Sequence, residues 1–272
     1  MTGRLRAVAI YRGLLWMLVW RDLRVRYKHA ALGAAWAVVP PLLTMAVFAV
    51  VFRQALGLED DALTGQVSAP YPVFALTGVL AWNYFASSLT GAVTSLVANR
   101  PLLTKIQFPR EVFPFAAVGG ALIDLFVAGA AFAGIVAWYH FTTGWRFHFH
   151  WTLLFVPVVL LVQSMLTAGL ALLSAMGNLF YRDVGFILRS ILPLWMFVTN
   201  VVYDLRTAGP RWGSVLSLNP LTPIISAYRD CLFAGRLPQW GMFSYAAGVS
   251  LLLLAGAWAW FHVRQAEFAE NV

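Results

Sequence analysis

Six stretches of this 272-residue sequence each run for 20 residues or more with at most one Asp, Glu, Lys or Arg. A helix that crosses a bilayer needs about 20 apolar residues, because at 1.5 Å per residue it must cover a hydrocarbon layer of roughly 30 Å. The stretches are Ala30–Phe52, Tyr71–Thr90, Val112–Trp138, Trp151–Met176, Val184–Tyr203 and Trp240–Val263. Only Asp124 and Arg189 carry a full charge within them. The composition agrees: 61% of residues are hydrophobic, 11% are charged, and the mean hydropathy is +0.74. A soluble domain is nearer 45–50% apolar and about 25% charged. The pattern predicts an all-α integral membrane domain with six transmembrane helices over residues 30–263.

The charges lie in the connections and alternate. Residues 1–29 hold seven basic side chains and one acid, Asp22. The next connection sets Arg53 against Glu59, Asp60 and Asp61, and the one after it holds Arg100, Lys105 and Arg110. Cytoplasmic loops carry the excess of Lys and Arg, so six spans put both termini in the cytoplasm. The same rule accounts for the net charge of +8 without nucleic acid, and no soluble segment is long enough for a recognition module. The single cysteine, Cys231, excludes an internal disulfide and a Cys-based metal site.

Residues 1–29 read as a cytoplasmic amphipathic interface helix. On a helical wheel Leu15, Trp16, Val19 and Leu23 share one face, and Arg6, Arg21, Arg24 and Lys28 share another, with Arg12 and Arg26 intruding. Such a helix lies along the headgroups. Pro40 and Pro41 in the first span remove backbone donors and predict a bend. Residues 204–239 contain Pro210, Pro220, Pro223 and Pro238 between apolar runs too short to cross. They read as short re-entrant helices on the outer side, packed against protein. Residues 264–272 form a cytoplasmic tail.

The missing motifs narrow the chemistry. There is no phosphate-binding loop: Lys28 and Lys105 are the only lysines, and neither follows a glycine. Nothing in the sequence suggests a catalytic residue, a bound cofactor or a metal site. His148 and His150 fit an exposed loop that alternates polar and aromatic residues. Asp124 within a span is costly in lipid and must face protein or water. It admits two readings, a proton or substrate site, or a polar contact between helices.

Two further groups are candidates. Asn99 and Pro101 start a short helix and Pro109 ends it. Its basic residues Arg100 and Lys105 and its apolar Leu102, Leu103, Ile106 and Phe108, with Thr104 and Gln107, offer a cytoplasmic partner a surface to grip. The aromatics Trp82, Tyr84, Phe85, Trp195, Phe197 and Tyr203 are candidates to line a path, since ring faces suit the C–H faces of sugars.

Four segments, "RDLRVRYKHAALGAAWAVVPPLLTMAVFAVVF", "NRPLLTKIQFPREVFP", "GNLFYRDVGFIL" and "LNPLTPIISAYRDCLF", are similar in order to the permease subunits of type-2 ABC exporters. The polysaccharide branch (O-antigen, capsule and teichoic acid) resembles them most. The resemblance implies a homodimer bound to two copies of an ABC ATPase subunit that holds the ATP and Mg. It implies export of a glycan linked to undecaprenyl diphosphate across the bacterial inner membrane. Residues 99–110 would be the coupling helix seated in the ATPase. Arg21, Arg24, Arg26 and Lys28 would meet the diphosphate. Three other readings predict other behaviour: an exporter of drugs or another lipid, an ion-coupled carrier using Asp124, and a membrane glycosyl- or phospho-transferase.

Overall fold

The computed structural model describes residues 11–28, 30, 33–65, 67–101, 109–205 and 209–264. Among these residues every regular element is helical. Helix α1 spans Arg12–Tyr27, α2 Val39–Ala49, α3 Asp60–Thr64, α4 Tyr71–Ala98 and α5 Val112–Thr142. They are followed by α6 Val156–Phe180, α7 Asp183–Val198, α8 Gly209–Leu216, α9 Leu221–Arg229 and α10 Trp240–Arg264. Among the described residues five continuous helical stretches are long and apolar enough to cross a membrane: Ala35–Ala55, Tyr71–Ala98, Val112–Thr142, Trp151–Phe180 and Trp240–Arg264.

Helix α4 is the axis of the bundle. The share of its most apolar window that is buried is 78%, against 6% for Ala35–Ala55. It packs on α2, α5, α6, α7 and α9. Close approach to its neighbours depends on small residues, as expected where helix association relies on packing rather than water exclusion. A Cβ added at Gly78 would overlap the Val201 carbonyl oxygen and come 2.7 Å from Arg229 Nη2. One added at Gly169 on α6 would strike Leu253 on α10 and lie 3.0 Å from the Leu254 nitrogen.

The head of the first span differs from expectation. Gly33–Ala37 forms a 3₁₀ turn, and Pro40 and Pro41 then occupy the first turn of α2. The first α-type bond runs from the Leu42 N–H to the Val38 carbonyl at 3.2 Å. First-turn N–H groups have no intrahelical acceptor, so proline costs least there. The pair starts the α-helix; it does not bend its middle. The span ends in a π turn, Val50–Ala55.

The expected span Val184–Tyr203 is also different. Its helix, α7, stops at Val198 after 16 residues, about 24 Å of rise. Residues 199–204 then run as irregular chain. The reason is tertiary and lies in α9, described below.

Helix α1 packs along α5 through Leu18, Val19 and Leu23, all buried. Trp16, Met17, Trp20 and Val25 stay exposed, with the Trp16 and Trp20 rings stacked at 6.2 Å. The helix therefore carries apolar side chains on two sides, one against protein and one turned outwards, in place of the single stripe expected. Part of this expected helix, residues 1–10, lies outside the described residues, as does 265–272 of the expected tail.

Candidate functional site

Three places gather polar chemistry. The first is a cleft of about 300 Å³ where the end of α1, the turn before α2, α4 and α5 meet. Pro40 and Pro41 form part of its wall. Lacking N–H groups, they leave the carbonyls of Trp36 and Ala37 without the usual i+4 donor. Asp124 faces the cleft from α5 and forms an ion pair with Arg26 at the end of α1. Tyr27 donates its hydroxyl to the other Asp124 oxygen at 2.8 Å. Burial, and then the Asp124 carboxylate, push the Tyr27 hydroxyl above its usual pKa. Here Asp124 is a polar contact between helices, and the end of α1 is pinned to α5 through it. From α4, Asn83, Tyr84 and Ser87 face the same space.

The cations singled out in the sequence are engaged to different degrees. Arg21 donates to Asp22 at 2.8 Å and to Asn99 Oδ1 at 3.0 Å, which ties α1 to the end of α4. Arg24 stands over the Trp20 ring at 5.6 Å from its centroid. Arg26 is held by Asp124, and Lys28 is exposed. The second place is the connection from α4 to α5. Arg100, Pro101 and Pro109 are described, whereas Leu102, Leu103, Thr104, Lys105, Ile106, Gln107 and Phe108 lie outside the described residues. Just beyond, Glu111 is buried and meets His262 Nε2 of α10 at 3.4 Å. Burial also pushes Arg110 below its usual pKa.

The aromatic candidates separate. Trp82 and Phe85 are buried in the core, and Phe85 meets Trp195 edge-on at 5.2 Å. Tyr84 is buried too, with its hydroxyl donated to Ser164 at 2.9 Å while its side chain borders the cleft. Phe197 is 61% exposed at the end of α7 and touches Phe48 of α2 edge-on. Tyr203 is half-buried, its hydroxyl on the Phe197 carbonyl at 3.2 Å.

The third place was not singled out in the sequence. Arg229, at the end of α9, is 1% exposed. Its Nη1 donates to the carbonyls of Asn200 at 2.7 Å and Tyr203 at 3.1 Å, and its Nη2 donates to Val201 at 2.6 Å. A guanidinium offers five donors in a fixed fork, and here it gathers three carbonyls that would otherwise continue α7. Asn219 adds a bond to the Thr199 hydroxyl at 2.7 Å, and Tyr71 donates to the Val202 carbonyl at 3.1 Å. Burial lowers the Arg229 pKa, and the carboxylates of Asp204 and Asp230 oppose that shift. Next to it, Tyr228 donates to Gln163 Oε1 at 2.8 Å and Gln163 Nε2 donates to the Ala81 carbonyl at 2.7 Å. The sequence signal was an arginine inside an otherwise apolar, proline-marked run, "PLTPIISAYRD".

The ABC-2 type transporter family matches residues 13–233. The O-antigen export system permease protein RfbA of Myxococcus xanthus is 31% identical over 271 residues, covering 96% of each chain. A protein of the same name from Klebsiella pneumoniae is 28% identical over 228 residues, 82% of each chain. The polysialic acid transport protein KpsM of Escherichia coli is 21% identical over 257 residues, 90% of this chain and 91% of its own. A multi-pass helical bundle matched from α1 to just beyond α9 leaves one conclusion: this chain belongs to the ABC-2 type transporter family.

Proposed function

We propose that this chain is the transmembrane subunit of an ATP-driven exporter that moves a lipid-linked polysaccharide across the bacterial inner membrane. The observation that carries this reading is the likeness, over 96% of both chains, to a protein named as an O-antigen export permease. Its working form is a homodimer joined to two ABC ATPase subunits, which bind and hydrolyse ATP with Mg; the permease itself carries no catalytic group. Residues 99–110 are the coupling helix that the ATPase pushes. The irregular chain after α7 completes a sixth crossing, α8 and α9 are re-entrant from the outer side, and both termini are cytoplasmic. The exposed apolar face of α7, with Phe186, Ile187, Leu194 and Phe197, supports burial against lipid or a second copy. The cations of α1 support a headgroup-level position, each worth on the order of 1 kcal/mol near an anionic leaflet. Arg suits bidentate contact with a diphosphate.

The test is reconstitution of the permease with its ATPase subunit in lipid nanodiscs. ATP hydrolysis is stimulated by an undecaprenyl-diphosphate-linked glycan and not by hydrophobic drugs, and export ceases without ATP. Stimulation by drugs alone assigns the chain to the drug or lipid exporters, and gradient-driven transport without ATP assigns it to the ion-coupled carriers. Lys105→Ala and Phe108→Ala weaken co-purification of the ATPase. Unchanged co-purification and export overturn the docking assignment.

A further inference from the structure

The cleft between α1, α4 and α5 holds polar groups that the fold leaves without partners. Neither the Asn83 amide nor the Ser87 hydroxyl makes a side-chain hydrogen bond among the described residues, and both face the cleft. They lie 15 and 11 residues before the cytoplasmic end of α4 at Ala98, roughly 23 and 17 Å along the helix axis. Asp124 lies 12 residues into α5, at roughly 18 Å. This is within the bilayer, where a polar group without a partner is costly. Something with hydroxyl or amide chemistry belongs there.

The charges define the occupant further. Arg26 and Asp124 already neutralise one another, so the pair offers no net charge to attract a phosphate or an ammonium, whereas an uncharged polyol needs none. The Asp124 carboxylate uses two acceptor positions, on Tyr27 and Arg26, and retains others of its roughly four. Arg26 retains donors, Asn83 offers both kinds, and Trp36, which is 47% exposed, sets a ring at the wall. The volume of about 300 Å³ is at the small end of ligand sites, enough for one sugar ring and too small for a chain.

We propose that this cleft is a saccharide subsite that takes a single uncharged pyranose ring, through Asn83, Ser87, Asp124 and Arg26 with the ring face on Trp36. It rests on the polysaccharide reading and adds to it a place where one sugar of the cargo is held beside the interface helix. Pro40 and Pro41 shape the wall that keeps the space open.

The experiment is protection from alkylation in membranes holding the permease with its ATPase subunit. Ser87→Cys places an accessible thiol in the cleft, while the natural Cys231 is buried and gives the slow background. The rate of N-ethylmaleimide labelling is measured with methyl glycosides of glucose, mannose, galactose and rhamnose, and separately with glycerophosphoethanolamine and inorganic phosphate. Slowing by at least one methyl glycoside is expected, and Asn83→Ala raises the half-protecting concentration about fivefold, the value of one hydrogen bond. Trp36→Leu, whose side chain lies at the cleft margin, gives a loss of the same sign should Asn83→Ala fold poorly. No slowing by any glycoside, or slowing by glycerophosphoethanolamine or phosphate alone, overturns the subsite. Cell-surface glycan is measured in parallel. Export without protection sinks the subsite only, and protection without export sinks the export reading while the saccharide site stands.

Discussion

The Arg229 guanidinium carbon lies over the Phe74 ring, 3.6 Å from its centroid, and from that position the group donates to three carbonyls of the chain that follows α7. One residue thus joins α9, α4 and the end of α7. The ring face and the carbonyls together supply the negative ends that a buried cation requires. Arg229→Ala leaves those carbonyls unpaired and is expected to cost about 3–5 kcal/mol. Arg229→Lys keeps the charge without the fork and loses part of that. Thermal unfolding of detergent-solubilised protein, followed by size-exclusion fluorescence, ranks wild type above Lys above Ala. Equal stability of Lys and wild type would show that charge alone suffices.

Gly78 lets the Val201 carbonyl and the Arg229 fork reach α4. Gly78→Ala forces backbone and guanidinium apart, an overpacking cost of about 1–3 kcal/mol. The same melting assay reads it. Gly129 on α5 has nothing within 4 Å of an added Cβ, so Gly129→Ala serves as the neutral comparison.

The Arg26–Asp124 pair pins α1 to α5. Because the Arg26 side chain is 42% exposed, the coupling is modest, and a double-mutant cycle of Arg26→Gln and Asp124→Asn is expected to return about 0.5–1 kcal/mol. ATP-dependent export survives the double variant if the pair is only a fastening. An Asp124→Asn variant that abolished gradient-driven uptake would restore the proton-site reading.

Glu111 is 3% exposed, and one of its oxygens has no hydrogen-bond partner. His262→Leu removes the basic group 3.4 Å from Glu111 and destabilises this end of the bundle by about 1–3 kcal/mol. Glu111→Gln added to His262→Leu recovers part of this, since an amide is less costly to bury than a carboxylate. No recovery in the melting temperature would place the cost in the lost packing of the imidazole against Trp258 and Phe261 instead.

The hydrophobic run lengths settle that the chain is helical and crosses the membrane, because a bilayer admits few alternatives and demands about 20 apolar residues per helix. They locate Val112–Thr142, Trp151–Phe180 and Trp240–Arg264 to within a few residues, and they place the start of Tyr71–Ala98 while stopping eight residues short of its end. They do not say where α7 stops. Val184–Tyr203 is uncharged but for Arg189, yet its last residues give their carbonyls to Arg229, an interaction 26 to 29 residues distant in the chain. The missing donors of Pro40 and Pro41 likewise predicted a bend but not their place at the head of α2, where the 3₁₀ turn before them packs on α1 and α5. The identity of the residues fixed the chemistry available. Which cation met which carboxylate, and which polar groups were left facing a cleft, was decided by packing, since a hydrogen bond is set by distances that sequence spacing does not encode across helices.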